Sequence, residues 1–578
     1  MSVEQPYLPR FSNPKDIESF VEKLESFERG EIGPDQFRAL RLLRGVYGQR
    51  QDDVQMIRVK LPFGILGEAQ LNALADIADK YAPSGIGHVT TRQNVQFHFV
   101  KIANAEAIMH ILDGVGITTR DACGNSVRTV TACELAEVCG EAAFDVSPYA
   151  EAMTRYFLGH PLSGALPRKF KIAFSGCESD CSFAAINDLG FVALSRDGQP
   201  GFKVFAAGGL STSPQAAIVL HDFIPAMEIG RVGEAILRLF DSMGNRENKH
   251  RARLKYVLRK LGEPKFREAY EKVRGDVDAE AKGEIKLPAT PSRKPAGPLP
   301  DAAGNTPAAR GQGYLAWRAS SVTDQRDDGY AAVYIRLYLG DMTSAVMRAI
   351  GRLATRYGDG TVRTTIDQNI VLPWVHKDNL AALHAELEPL GLGKLDLRTA
   401  RDVLSCPGAS SCNLAVTASR SLGAAITERL DAPDASALAA MAGTSIKISG
   451  CPHSCGQHHV ADIGFHGAAR TVPGSGITVP VYQLHLGGGV DENGARFGRQ
   501  VVKIVARRVP EAVVLLMKLY ESDRNEGEVA SAFFLRVDPK RVTAALAAVL
   551  GGPEPGDTSD IGETQGFVVD TKDGECAA

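Results

Sequence analysis

The chain repeats itself, and that repeat restricts the fold more than any other feature does. VTTRQNVQFHF from Val89 is answered by RTTIDQNIVLP from Arg363, and VRTVTAC ending at Cys133 by ARDVLSC ending at Cys406. FSGCESDC ending at Cys181 is answered by ISGCPHSC ending at Cys455, and NDLGF at Asn187 by ADIGF at Ala461. AAGGL at Ala206 and LGGGV at Leu486 close the series. The offset stays at 273–275 residues until this last pair, where the second half carries a short insertion. Ordered matches at a nearly constant offset mark an internal duplication. Between the copies, Leu287 to Pro307 holds six prolines and no aromatic residue. Such a stretch cannot bury enough surface to offset its ordering entropy, so it reads as a linker.

QNVQFHFV and QNIVLPWV alternate, with β-branched and aromatic residues, and predict strands. LNALADIADKYA from Leu71 and SAVMRAIGRLATRYG from Ser344 have helical spacing and precede those strands by similar distances. KFKIAFSG and TSIKISG read as short buried strands that run into a cysteine-containing turn. The fold class expected is α+β, internally duplicated, with mixed sheets and a pseudo-twofold axis. Neither half-sheet would be well buried alone, so segments of the two halves should pair in a shared sheet. The expected units are 1–130, 131–275, the linker 276–312, 313–400 and 401–578.

Composition narrows the function. Lys+Arg 65 against Asp+Glu 68 gives a net charge of −3, which excludes a polybasic nucleic-acid or membrane binder as a class. The opening MSVEQPYLPRF has no signal-peptide core. The longest apolar runs, such as Ala512 to Met517, fall far short of the ~20 residues that span a bilayer. A cytoplasmic protein is expected. Its ten cysteines then read as metal ligands or thiols rather than disulfides.

Eight of those cysteines form one pattern used twice. The first half has Cys133-x5-Cys139 and Cys177-x3-Cys181, the second Cys406-x5-Cys412 and Cys451-x3-Cys455. Gly176 or Gly450 precedes the later pair and lets the backbone come close to a bulky inorganic group. Four thiolates suit an iron–sulfur cluster or zinc, although the five-residue gap departs from structural zinc spacing. Packed, unligated thiols complete the alternatives.

At LSCPGASSC (Leu404 to Cys412), ISGCPHSCGQHHVADIGF (Ile448 to Phe465), TTRQNVQFHF (Thr90 to Phe99) and LPRKFK (Leu166 to Lys171), the chain resembles the siroheme and [4Fe–4S] sulfite and nitrite reductases. The resemblance covers nearly the whole chain. It implies that Cys406, Cys412, Cys451 and Cys455 hold the cluster and that Cys455 also bonds the siroheme iron axially. It implies anion-binding cations at Arg92, Arg128, Lys169 and Lys171. On a strand, Lys169 and Lys171 project to one face, so both amines can reach one anion. The alternative is an exposed, solvated basic edge.

The duplication divides the labour. Arg92 aligns with Asp367, Lys169 with Gly443 and Lys171 with Ser445, and only Arg128 keeps a basic counterpart, Arg401. The first-half set Cys133, Cys139, Cys177 and Cys181 is a possible second cluster site, with vestigial thiols as the alternative. It should be catalytically poor, because Asp367 repels an anion where Arg92 attracts one. The segment GNRENKHRARLKY (Gly244 to Tyr256) is a candidate for siroheme carboxylates, and a solvated helix face is the other reading. His453, His458 and His459 border the cluster cysteines without being expected to ligate it. Some members of the family carry a tyrosine–cysteine cross-link; Tyr47 and Cys123 stand where it would lie, with ordinary packing preferred. Cys576, in a polar tail, reads as incidental.

The expected reaction is six-electron reduction of sulfite to sulfide, because paired lysines resemble the sulfite type. Nitrite reduction to ammonia is the alternative, and a non-catalytic zinc-binding protein the distant one. No G-x-G-x-x-G follows a strand, so no flavin or NADPH domain is expected here. Electrons should come from a separate ferredoxin or flavoprotein.

Overall fold

The computed structural model describes residues 6–289, 295–299, 311–439, 443–572 and 574–575. Part of the proline-rich stretch and Cys576 therefore lie outside the described residues. Four five-stranded sheets make up the architecture, two of each kind.

The first kind is antiparallel. One such sheet orders Val46–Gly48, Gln55–Val59, Val95–Val100, Ile86–Val89 and then Asp341–Thr343; the other orders Val322–Asp324, Tyr330–Ile335, Ile370–His376, Thr361–Thr364 and then Ile65–Gly67. The last strand of each comes from the opposite half, through the registers Asp341↔His88 and Thr361↔Gly67. The shared pairing expected from the sequence is thus a mutual exchange. Helices Glu68–Tyr81 and Ser344–Tyr357 follow the exchanged strands and pack side by side. Leu71, Leu74 and Ile77 of one share a core with Met347, Ile350 and Leu353 of the other. Arg348 adds ion pairs to Asp76 (2.6 Å) and Asp79 (2.9 Å).

The second kind is mixed. Thr131–Ala132, Ile172–Ser175 and Leu189–Arg196 run parallel, and Gln199–Ala206 and Ile218–Pro225 complete the sheet antiparallel. Leu404–Ser405, Ile446–Ser449, Ile463–Thr471, Thr478–Leu486 and Arg499–Val505 repeat that order in the second half. The insertion sits at one hairpin tip: Arg196 pairs directly with Gln199, whereas residues 472–477 separate Thr471 from Thr478. Each mixed sheet has its own apolar core. Even the left-handed backbone positions recur in pairs, among them Phe63 with Leu339, Gln93 with Gln368, Asp180 with Ser454 and Phe183 with Gln457. Side-chain-bearing residues are costly there, so their repetition marks turns that the duplication kept.

Candidate active site

In the second half, both cysteine pairs follow strands that end at the same edge. Cys406 follows Leu404–Ser405, and Cys451 comes two residues after Ile446–Ser449. Val416 N and Thr417 N both donate to Gly450 O (2.8 and 3.0 Å), which folds the Cys412 loop against the Cys451 turn. Gly450 N points at the Cys406 sulfur from 3.3 Å. A Cβ at Gly456 would stand 1.9 Å from Ile448 O, so only glycine closes this turn. Cys406 and Cys451 are buried, Cys412 is half-buried and Cys455 is exposed. Burial, together with the neighbouring thiols, pushes Cys406 and Cys451 up and Cys412 up to about 12. Crowded, desolvated thiols are poor as anions on their own, and cluster iron in place of their protons removes that penalty. Four cysteines on two adjoining turns, graded from buried Cys406 and Cys451 to exposed Cys455, suit the ligands of an iron–sulfur cluster.

The first half closes over this sulfur face. Thr91 Oγ1 donates to Cys455 O (3.1 Å), which brings the TTRQ turn onto the cluster loop. Arg92, next along, donates from Nη1 to Asn187 Oδ1 (3.0 Å) and from Nη2 to the carbonyls of Thr129 and Ile172 (3.1 Å to the latter). Its buried Nε has no hydrogen-bond partner among the described residues. Burial, Arg128 and Arg253 draw Arg92 down to about 9. Phe170 is buried between half-buried Lys169 and Lys171, as alternation on an extended segment requires. Lys171 is pulled well below its ordinary value by burial and then by Arg92, Arg253 and Lys169. Lys169, with Arg168 and His250, acts with burial to push His453 down to about 4. His453 in turn bonds Ser211 Oγ (3.1 Å). Thr91 thus joins the first-half turn that carries Arg92 to the second-half loop that carries Cys455.

Arg128 stands slightly apart. It is buried and donates to Ala122 O (2.7 Å) and Gly124 O (3.1 Å), organising the loop that carries Cys123. Cys123 lies in a small apolar cluster with Leu42 and Met56, and Tyr47 packs against it. Arg401, the counterpart of Arg128, forms an ion pair with Asp431 (2.8 Å).

The first-half thiols also converge. All four are free thiols, and Ser179 Oγ lies 2.9 Å from the Cys177 sulfur and 4.0 Å from that of Cys181. At the place corresponding to the cation face, Asp367 is held by Lys447 Nζ at 2.9 Å.

Several functional residues escaped the sequence reading. Asp188 accepts from Arg253 Nε (3.0 Å) and Nη2 (2.7 Å) and from Lys171 N (2.9 Å), so one buried carboxylate fixes the lysine segment. Lys255 is buried and donates to Leu210 O and Ser213 O, both at 2.6 Å. Arg253 and Lys255 depart from the solvated-face reading of the basic segment, whereas Lys249, His250 and Arg251 are exposed. Gln93 Nε2 donates to Ala132 O and to Thr364 O across the axis (both 2.9 Å). Gln368 mirrors it, donating to Val89 O (2.8 Å) and accepting from Ser405 N (3.2 Å), the residue before Cys406. Their retention in both halves was the available signal.

Known proteins place this geometry. The model described as nitrite and sulphite reductase 4Fe-4S domain matches residues 123–276 and 397–532, and the nitrite/sulfite reductase ferredoxin-like half domain matches 47–115 and 323–390. Sulfite reductase [ferredoxin] 2 of Mycolicibacterium paratuberculosis is 29% identical over 84% of this chain and 82% of that protein. Ferredoxin--nitrite reductase of Synechococcus elongatus is 30% identical over 78% of this chain and 83% of that protein. The structure of the Mycobacterium tuberculosis NirA protein superposes with a TM-score of 0.74 at 26% identity, covering 93% of this chain and 98% of that one. Twice-matched half domains, relatives aligned over most of their length and a thiolate face opposed by cations make this chain a member of the siroheme and [4Fe–4S] sulfite/nitrite reductase family, an oxidoreductase.

Proposed function

We propose that the chain reduces sulfite to sulfide, taking electrons from a separate ferredoxin-type donor. The observation that carries this reading is the cation set Arg92, Lys169 and Lys171, with Arg253 behind them, in the half that the Thr91–Cys455 contact joins to the second-half cysteine loop. Hydrogen sulfite accepts six electrons and six protons, giving hydrosulfide and three waters. Cys406, Cys412, Cys451 and Cys455 would hold the cluster, and Cys455 the siroheme iron. When bound, the two cofactors supply the electrons' route to the anion.

The chain's own residues supply the rest. Fixed cations in a water-poor pocket hold a dianion or monoanion more strongly than solvent does, and they need not reorganise as charge builds. Lys171 Nζ, destabilised as an ammonium by burial and by three neighbouring cations, is poised to hand a proton to a departing oxygen. Arg92 is pinned by carbonyls and Asn187, so it orients the anion without moving.

The identity with the Synechococcus ferredoxin--nitrite reductase favours nitrite as the second reading. Steady-state kcat/KM for both anions with one reductant separates the two. A sulfite preference is expected; a tenfold preference for nitrite overturns the proposal. Nitrite types resemble this chain but tend to show asparagine at the second lysine, so Lys171→Asn should move the ratio toward nitrite. We read the first-half thiols as catalytically silent, because Lys447 already neutralises Asp367 at the corresponding face. An iron count is the test of occupancy there: about 5 iron atoms per chain mean one cluster and one siroheme iron, and about 10 a second set.

A further inference from the structure

Behind the cluster loop, three histidines point into one small space. His458 begins the short turn His458–Val460, His466 lies on the strand Ile463–Thr471 and His485 on Thr478–Leu486. The register pairs Gly464 with His485 and Gly464 sits two residues before His466, so both imidazoles leave the same face of the sheet. Gly464 also lets the turn lie directly on that face, since a Cβ there would be 1.9 Å from His458 O. One ring nitrogen from each histidine falls within 4.8 Å of the other two.

Two of the remaining nitrogens are held as ligand supports. Ser449 Oγ bonds His458 Nδ1 (2.9 Å), and the Gly498 carbonyl faces His485 Nδ1 (3.4 Å). Inward, His466 Nδ1 and His485 Nε2 stand 2.8 Å apart. His458 Nε2 is buried with no hydrogen-bond partner among the described residues. Metal-bound histidines characteristically have the second nitrogen held by a hydroxyl or carbonyl in this way. Burial, and then the neighbouring His459, keeps all three rings below the ordinary histidine range, in the neutral form that binds metal.

The duplication supplies the control. The same three positions in the first half are Ala184, Val192 and Phe205, and they form a small apolar cluster. The local fold therefore packs well without any polar group. Three imidazoles in its place bury polar nitrogens, and each one left unpaired is destabilising. A bound cation turns that cost into ligation. We propose that His458, His466 and His485 bind one divalent first-row metal ion, zinc(II) by its fit to neutral imidazoles and tetrahedral coordination, separate from the iron–sulfur thiolates. Nitrogen–metal distances of about 2.0–2.1 Å need small ring rotations from the positions described, and a water entering past half-buried His466 completes the shell. The ion ties the turn after the cluster loop to the strands behind it.

The test uses cofactor-loaded enzyme, treated with chelator, offered one equivalent of zinc sulfate, desalted and analysed for metals by mass spectrometry. About one zinc per chain beyond the iron is expected. Installing the first-half residues, His458→Ala with His466→Val and His485→Phe, should abolish zinc uptake while siroheme absorption and iron content persist. The single variant His466→Val, on the half-buried ring, should weaken zinc at least tenfold in competition with a chromophoric chelator. It decides the matter if the triple variant fails to fold. Absence of zinc uptake by the loaded enzyme overturns the proposal. So does uptake undiminished in the His466→Val variant or the folded triple variant, which would place the zinc on thiolates elsewhere.

Discussion

The Asp188–Arg253 pair offers the sharpest perturbation of the cation face. Asp188 is fully buried and Arg253 nearly so, and their two contacts of 2.7 and 3.0 Å form a bidentate bridge. Asp188→Asn keeps an oxygen for Lys171 N but strands the guanidinium without a counter-charge. Removing one partner of such a buried pair costs about 3–5 kcal/mol. At roughly 2–4 °C per kcal/mol for a unit of 150–250 residues, the melting temperature should fall by about 6–20 °C. Scanning calorimetry at a fixed scan rate, with cofactors loaded, measures it. Asp188→Asn combined with Arg253→Met removes the stranded charge and should recover at least half of the loss. Activity gives an independent readout. The Asp188 charge raises the proton affinities of Arg92 and Lys171, so its removal should move the alkaline limb of the pH–rate profile downward. A melting shift under 2 °C, or a double variant no more stable than the single one, would refute the reasoning.

Other sites give further tests. Lys60 is buried beside Arg128 and Arg92, and burial first, then those cations, lower it from 10.5 to about 8. Between those values the unfolded chain binds more protons, so stability rises with pH there and the full cost applies below pH 8. Lys60→Met should therefore stabilise the protein at pH 7 by up to about 3 kcal/mol, a gain that fades by pH 10.5; denaturant melts at both pH values would show it, and no gain at pH 7 would count against it. Gly456→Ala should cost the cluster its iron, because the new Cβ meets Ile448 O at 1.9 Å, whereas Gly114→Ala, with open space around it, should leave iron content unchanged. Cys455→Ser should abolish turnover and alter the siroheme absorption spectrum; unchanged turnover would remove Cys455 from the site.

What the sequence disclosed is what its chemistry repeats. Cysteine spacing and the K-x-K alternation are local, so the thiolate turns and the common face of Lys169 and Lys171 could be read in one dimension. The strand exchange was half legible: burial required shared sheets, but which strand crosses depends on the registers of Asp341 with His88 and Thr361 with Gly67. Asp188 sat within a quoted motif with no hint of its partner, because Arg253 lies 65 residues away. Gln93 and Gln368 do their work on backbone carbonyls, which carry no sequence label. His458, His466 and His485 show no spacing of their own; a turn and a hairpin register assemble them.

The two copies of one loop also differ in charge. Arg92 occupies one copy and Asp367 the other, at the same turn beside equivalent glutamines. Where the first half has Ala173 on its strand, the second has Lys447, whose ammonium reaches Asp367 at 2.9 Å and lies over the Phe183 ring. That pair satisfies itself and leaves no net positive charge for an anion to find. Among the described residues, Arg92 has no carboxylate among its hydrogen-bond acceptors, and the acid among its main electrostatic neighbours, Asp188, is already taken up by Arg253. The uncompensated cation is on one side of the axis alone. The turn that carries Arg92 thus presents a cation without a paired carboxylate, while the turn that carries Asp367 is internally neutral.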